Sequence, residues 1–114
     1  MKVEQFQKRA KRACVLLDLP EPEVVDLKAG SIKLRIQLSE ERFIDVYFNE
    51  KTKTLNSAMI EKGRRIFGIN GYGDEHLWHM HPLGKMDEHV PVKRMSIERL
   101  LRDYAVVLKK RHPR

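Results

Sequence analysis

The sequence contains a single cysteine among 114 residues, Cys14, so disulfide bonds within the chain are excluded. Hydrophobic residues, which make up 41% of the chain, must therefore supply the stability by burial. Cys14 lies in a helical pattern between Ala13 and Val15, where we expect a small buried side chain. Because domains cluster at roughly 100–150 residues, we predict one domain spanning residues 1–114.

Long hydrophobic runs are also missing. No segment approaches the ~20 consecutive apolar residues of a membrane-spanning helix. The N-terminal sequence MKVEQFQKRAKR lacks the uninterrupted apolar stretch of a signal peptide. These absences predict a cytoplasmic protein without a membrane partner.

Acidic residues are scarce at both ends of the chain. Residues 1–19 carry five basic and two acidic residues, residues 20–92 carry ten and twelve, and residues 93–114 carry eight and two. Both ends have the hydrophobic period of a helix, and positive helix faces attract polyanions such as RNA, DNA or an acidic protein. Alternatively, the positive helix faces are solvated surfaces without a ligand, and the basic residues near the C-terminus interact favourably with the helix dipole. The candidate nucleic-acid-binding residues on these helices are Lys8, Arg9, Lys11, Arg12, Arg99 and Arg102.

The hydrophobic period changes from helix to strand and back to helix. The first helix should end before Pro20, and the last should begin after Ser96 as its N-cap and run to about Lys110. The predicted strands are 24–27, 32–38, 42–48, 54–60, 64–69 and 76–81, with 83–94 as a loop. The fold class is therefore α+β: an antiparallel meander of five to six strands, with an N-terminal and a C-terminal helix covering one face. An open edge strand would favour a homodimer.

Four of the five histidines fall within fourteen positions, from His76 to His89. In an extended segment His79 and His81 point to the same face, whereas His76 points to the opposite one. As a metal site the segment offers His79 and His81, with His89 or Glu75 as a further ligand. The spacing matches no known zinc motif, so we assign no metal and no other cofactor.

Two other interpretations of the histidines stay open. In the first, imidazoles act as general base and general acid in a metal-independent phosphodiesterase, and Arg64 or Arg65 stabilises the charge on phosphorus. Only one of these adjacent arginines can share a face with a given histidine. In the second, the histidines bind loop carbonyls and Trp78 packs in the core. Tyr72, between two glycines, either stacks on a base or fixes its loop.

Three segments carry a family resemblance: LRIQLSEERFIDVYFNEKT at 34–52, GRRIFGING at 63–71 and HLWHMHP at 76–82, followed by the terminal helix. This stretch, roughly two-thirds of the chain, resembles the TumE-like family of small toxins from prokaryotic toxin–antitoxin modules. The resemblance implies a compact domain, a helix-turn-helix antitoxin as partner and a toxic activity directed at RNA. The residues to which the resemblance points are Arg64, Arg65, His76, His79 and His81.

We therefore predict the toxin component of a toxin–antitoxin module. It would act on RNA with histidines as acid and base, while its basic helices hold phosphates. A non-enzymatic module that binds nucleic acid or protein is the first alternative. A metal-dependent hydrolase that uses the histidine cluster is the second.

Overall fold

The computed structural model of the protein describes residues 1–73 and 77–111. In chain order the elements are α1 (Val3–Leu16), β1 (Glu23–Lys28), β2 (Ser31–Gln37), β3 (Arg42–Asn49), β4 (Thr54–Glu61), β5 (Arg64–Gly71), β6 (His79–His81), β7 (Val90–Pro91) and α2 (Ile97–Arg111). The predicted α+β class is confirmed. No helix among the described residues is long and apolar enough to cross a membrane.

The strands form one antiparallel sheet in which each strand pairs with the next along the chain, in the order β1 to β7. The described part of the chain contains seven strands, where the sequence predicted five to six. The additional strand is β7, in the segment predicted to be a loop, because a strand of two residues is too short for its side chains to alternate visibly. β6 begins at His79, and the predicted start at His76 lies outside the described residues.

Both helices pack on one face of the sheet, as predicted. The ring of Phe6 in α1 stacks on Phe48 of β3, with centroids 4.3 Å apart and planes 4° from parallel. Tyr104 of α2 meets Phe67 of β5 edge to face, with centroids 5.0 Å apart. Fully burying an aromatic or aliphatic side chain of this size contributes roughly 1.5–3 kcal/mol. These contacts therefore fix the helix layer on the apolar face.

Polar and capping groups in this layer are also satisfied. The Tyr104 hydroxyl donates to Ser57 Oγ at 2.8 Å, and Ser57 Oγ donates to the Ile69 carbonyl at 2.8 Å. Burial raises the pKa of Tyr104 well above its usual range. Ser96 Oγ accepts a hydrogen bond from the Arg99 amide at 3.1 Å, which confirms the predicted N-cap. Cys14 is fully buried, as expected, and burial raises its pKa to about 11.

The opposite face of the sheet, which we call the open face, carries the alternate and mostly polar side chains. Arg35 donates to both carboxylate oxygens of Asp45, at 2.8 and 3.0 Å, across β2 and β3. The open face also contains a depression over the central strands, bordered by Lys33, Tyr47, Asn56, Arg65 and Asn70 among others. At one side of the sheet, β1 is an edge strand whose residues are all exposed. The predicted homodimer stays a prediction.

Trp78 holds the short strands β6 and β7 on the end of β5. Its side chain is only 3% exposed, and its indole N–H donates to the Tyr72 carbonyl at 2.7 Å. Its own carbonyl accepts a hydrogen bond from the Val92 amide at 3.1 Å. The six-membered ring lies directly against Gly71, where a Cβ atom would sit 2.1 Å from two ring carbons. Residue 71 must therefore be glycine for Trp78 to occupy this position.

We expect Gly71→Ala to lower the free energy of unfolding by about 1–3 kcal/mol, the usual cost of forcing additional atoms into a packed core. Chemical denaturation measures this loss. A double-mutant cycle supplies the control, because Gly71→Ala should cost much less in a Trp78→Ala background, where no ring opposes the new methyl group. An equal cost in both backgrounds would contradict the contact.

Candidate active site

The pairing of β5 with β6 places two histidines on the open face of the sheet. His81 is the cross-strand partner of Gly68, and His79 is the partner of Asn70. Cross-strand partners share a face, and Asn70 borders the depression on the open face. Met80 lies between the two histidines, points to the other face and packs against the core. The predicted common face of His79 and His81 is thus present.

A third histidine reaches the same place through the 82–89 loop. The Gly84 amide donates to the Ile66 carbonyl at 2.9 Å, and the Glu88 amide donates to the Lys85 carbonyl at 3.0 Å. The chain then returns as β7, in which Val90 pairs with Met80. This return brings His89, the residue before the strand, beside His81.

The rings of His79, His81 and His89 form one cluster, which we call the histidine trio. The ring centroids lie 5.0 Å apart for His79 and His81, 5.0 Å for His79 and His89, and 4.5 Å for His81 and His89. One nitrogen from each ring lies within 4.8 Å of the other two. His79 and His81 are half-buried, while His89 is exposed. The trio is therefore a solvent-facing group of imidazoles at one side of the open face.

Backbone carbonyls orient two of the rings. His81 Nδ1 lies 2.8 Å from the Met86 carbonyl oxygen, and His79 Nδ1 lies 3.2 Å from the Leu77 carbonyl oxygen. A carbonyl can only accept, so Nδ1 is the protonated nitrogen in both contacts. In the neutral form of each ring, Nε2 then carries the lone pair and is open to another partner. The interpretation in which histidines bind loop carbonyls is thus correct for Nδ1 and leaves Nε2 available.

Gly68, the cross-strand partner of His81, lies beside the ring of that histidine. A Cβ atom built at Gly68 would lie 3.7 Å from Cδ2 of His81 and 3.7 Å from the terminal methyl group of Met86. The same atom would lie 3.1 Å from the Ser57 carbonyl oxygen, which is closer than side chains normally approach. A larger side chain at position 68 would therefore disturb the strand and the imidazole above it.

The two predicted arginines do not join the trio. Arg65 pairs with Ile60 and borders the depression on the open face. It lies three residues along β5 from Gly68, about 10 Å at the rise of a strand. Arg64 pairs with Glu61, and as the neighbour of Arg65 it points to the other face. Both arginines are exposed, and only Arg65 shares a face with the histidines.

The basic residues of the helices lie on the far side of the sheet from the trio. Arg9 donates to both carboxylate oxygens of Glu98 in α2, at 2.7 and 2.5 Å. Lys11 pairs with Glu21 at 2.9 Å, and Arg99 pairs with Asp103 at 3.4 Å. Those that are exposed on the helix surface are Lys8, Lys11, Arg12, Arg99 and Arg102. Because the sheet lies between these cations and the histidines, the cations cannot contact a phosphate held at the trio.

The remaining predicted site residues are Tyr72, His76 and Glu75. The ring of Tyr72 is 43% exposed, while its carbonyl binds the indole of Trp78. His76 and Glu75 lie outside the described residues.

Several residues of the open face were not predicted from the sequence as part of a site. Lys33, Tyr47, Asn56 and Asn70 border the depression, and Asn70 pairs with His79. Asn56 Oδ1 is buried and has no hydrogen-bond partner within residues 1–73 and 77–111. The signal for these residues was present in the alternation of polar side chains along the predicted strands.

No protein-family model, no curated protein and no solved structure matches the chain. The resemblance to TumE-like toxins therefore stays a prediction, and function has to be argued from the site itself.

The Arg9–Glu98 pair predicts a pH-dependent contribution to stability. The hydrogen bonds from Arg9 hold the pKa of Glu98 below its usual range, so the contribution is full above the ordinary pKa of glutamate and disappears as the pH falls through the lowered value. Glu98→Gln should cost about 0.5 kcal/mol at pH 7, because both groups are more than a third exposed.

Denaturation curves of the wild type and of Glu98→Gln at pH 7 and pH 3 measure this contribution. The difference between the two proteins should shrink at the lower pH. Asp103→Asn, which removes the longer Arg99–Asp103 pair within one helix, is the control and should have the smaller effect. A difference that is equal at both pH values would contradict an electrostatic role for the pair.

Proposed function

We propose that the protein is an RNA-cleaving enzyme of the toxin type, and that the histidine trio is its reactive site. The observation that supports this proposal is the convergence of three ring nitrogens within 4.8 Å at a solvent-facing site. Imidazole is the side chain best suited to transfer protons near neutral pH. Two of the rings are oriented by backbone carbonyls, so little ordering remains to be done when a substrate binds.

The proposed reaction is a transesterification of RNA. One imidazole accepts the proton of a 2′-hydroxyl through Nε2, and the 2′-oxygen attacks the adjacent phosphorus. A second imidazole, which enters the reaction protonated, donates its proton to the departing 5′-oxygen. The bond from phosphorus to that oxygen breaks as the new bond forms, leaving a 2′,3′-cyclic phosphate and a free 5′-hydroxyl.

The open face provides the proposed binding surface for the rest of the RNA. Arg65 borders the depression and supplies positive charge for phosphates, whereas Lys33 at the same depression is paired with Asp45 at 3.5 Å. Tyr47 is a half-buried aromatic ring on the same surface, of the kind on which bases stack. Asn56 Oδ1 is buried without a partner, so a rotation of its side chain would let it accept a hydrogen bond from the ligand, such as one from a base amino group or a 2′-hydroxyl.

This arrangement changes the role of the basic helices. They lie behind the sheet, so in our proposal they attract RNA at long range and do not hold the phosphate that is cleaved. The helix-turn-helix antitoxin implied by the family resemblance is kept as the proposed partner. A module that binds RNA without cleaving it is the competing proposal, and the first experiment below separates the two.

We expect expression of the wild-type protein in a bacterial host to arrest growth and fragment RNA. A His79→Ala/His81→Ala variant should do neither, because it loses two of the three imidazoles. Colony counts and electrophoresis of total RNA measure both effects.

The control for this experiment is Arg102→Ala, an exposed substitution on the helix side of the sheet, which should stay toxic. Circular dichroism of each purified protein checks that the fold is retained. If the folded wild type and the double variant have the same effect on growth and RNA, cleavage by the trio is refuted. Salt-sensitive RNA binding without fragmentation would support the non-enzymatic module instead.

A matched pair of substitutions tests which face binds RNA. In the His79→Ala/His81→Ala background, which should leave RNA intact, Arg65→Ala removes one charge from the open face and Arg102→Ala removes one from the helix face. We expect Arg65→Ala to weaken binding of a single-stranded RNA more than Arg102→Ala does, because only Arg65 would contact a phosphate directly. Arg65→Ala should also reduce the slope of log affinity against log salt concentration by about 0.7, the value for one lost phosphate contact.

Fluorescence anisotropy over a range of salt concentrations measures both quantities. If Arg102→Ala weakens RNA binding more than Arg65→Ala does, the RNA binds on the helices and the proposal is contradicted.

A further inference from the structure

We infer that the histidine trio binds one divalent transition-metal ion through Nε2 of His79, Nε2 of His81 and one ring nitrogen of His89. The metal site itself stands on the geometry of the three rings, while a role of the ion in RNA cleavage rests on the proposed function.

The hydrogen bonds of the rings favour metal binding. A metal-bound histidine almost always donates its other ring N–H to a carbonyl, a carboxylate or water, which fixes the tautomer and makes the ligating nitrogen more basic. His81 has this partner in the Met86 carbonyl at 2.8 Å, and His79 has it in the Leu77 carbonyl at 3.2 Å. Two of the three ligands are therefore already held in the tautomer that a metal requires.

The distances fit a metal site after a small movement. Zinc–imidazole bonds of about 2.0–2.1 Å place tetrahedral ligand nitrogens about 3.3 Å apart. The nitrogens of the trio lie within 4.8 Å of one another, so each pair must approach by up to about 1.5 Å to reach this separation. His89 is exposed and directly precedes the two-residue strand β7. Rotation of the His89 side chain can shorten its distances to the other two rings, and smaller rotations of His79 and His81 about their side-chain bonds would close the remaining pair.

The ligand set selects the class of ion. Three imidazoles without a thiolate suit zinc, nickel or copper, whereas magnesium and calcium prefer oxygen ligands. Three protein ligands also leave one position of a tetrahedral ion open for water or substrate, as in catalytic zinc sites and unlike closed structural ones. Because the trio faces solvent on the open face, this position would be accessible to a phosphate oxygen of a bound RNA.

Protons compete with a metal for the same nitrogens. Each imidazole must be neutral to bind, so metal affinity should fall as the pH is lowered. This dependence distinguishes ligation by the trio from binding by carboxylates, which stay ionised over the same range.

Isothermal titration of the chelator-treated, full-length protein with zinc chloride tests the site. We expect one zinc ion per chain with micromolar or tighter affinity at pH 7.5, and weaker affinity at pH 5.5. His81→Ala and His89→Ala should each weaken binding at least tenfold. Cobalt(II) provides a second readout, because four-coordinate cobalt gives intense visible absorption that both variants should lose.

His112→Ala is the matched control, since it removes the one histidine of the sequence outside the 76–89 cluster. It should leave the affinity for zinc and the cobalt spectrum unchanged. Zinc binding that is absent, or that persists unchanged in both His81→Ala and His89→Ala, overturns the metal site. Circular dichroism confirms that each variant is folded.

Different experimental outcomes would refute the metal site and the proposed enzyme. RNA cleavage by a protein that binds no zinc would remove the metal site and leave the enzyme. Zinc binding without RNA cleavage would keep the metal site and remove the enzyme. Loss of cleavage on chelation and its return with one equivalent of zinc would support the metal site and an RNA-cleaving enzyme, but would replace acid–base catalysis by the trio with metal-assisted cleavage. Cleavage by the metal-free protein that one equivalent of zinc inhibits would support both proposals, because zinc would occupy the nitrogens that transfer protons. Cleavage that is the same with and without zinc bound at the trio would keep the metal site and refute acid–base catalysis by the same nitrogens.

Discussion

The packing of Trp78 against the bare backbone of Gly71 is the contact on which the site depends. β6 and β7 have only three and two residues, too few for their ladder hydrogen bonds to hold them in place. The buried indole supplies the missing apolar area. Its N–H and its carbonyl bind the Tyr72 carbonyl and the Val92 amide on either side. One side chain thus holds both short strands against β5, and their register aligns the histidines.

The sheet separates the apolar face, which the helices cover, from the polar open face, which carries the histidines. Its apolar face needs both helices to cover it, so the helix cations are committed to the side away from the histidines. Arg9, which looked like a ligand for phosphate, instead joins α1 to α2 through Glu98. The open face keeps polar side chains whose partners are incomplete, such as Asn56 Oδ1. A ligand that uses the trio would therefore extend over the strands and not along the helices.

In His79 and His81 the two ring nitrogens have different partners, and this difference matters more than the number of histidines. Had both nitrogens of each ring been bound to the backbone, the cluster would be structural. The carbonyls of Leu77 and Met86 bind Nδ1 of His79 and His81, which orients the rings and leaves Nε2 of each ring available to another partner. Acid–base catalysis and metal ligation both require this arrangement. Acid–base catalysis needs one imidazole unprotonated at Nε2 and another protonated, whereas metal ligation needs every ligating nitrogen unprotonated.

The sequence by itself determined the fold class, both helices and the five long strands. The helices, β2 and β3 repeat their hydrophobic period often enough to be recognised, and turn residues mark the ends of the other three strands. It also determined that His79 and His81 share a face, since alternation along a strand is a local property. It could not determine β7 or the position of His89, because a two-residue strand has no period and its place depends on pairing with Met80.

Only the tertiary structure decided which charged residues share the open face with the histidines. The side of the sheet on which a helix packs, and the residues that become cross-strand neighbours, follow from burial of the whole apolar surface and not from local spacing.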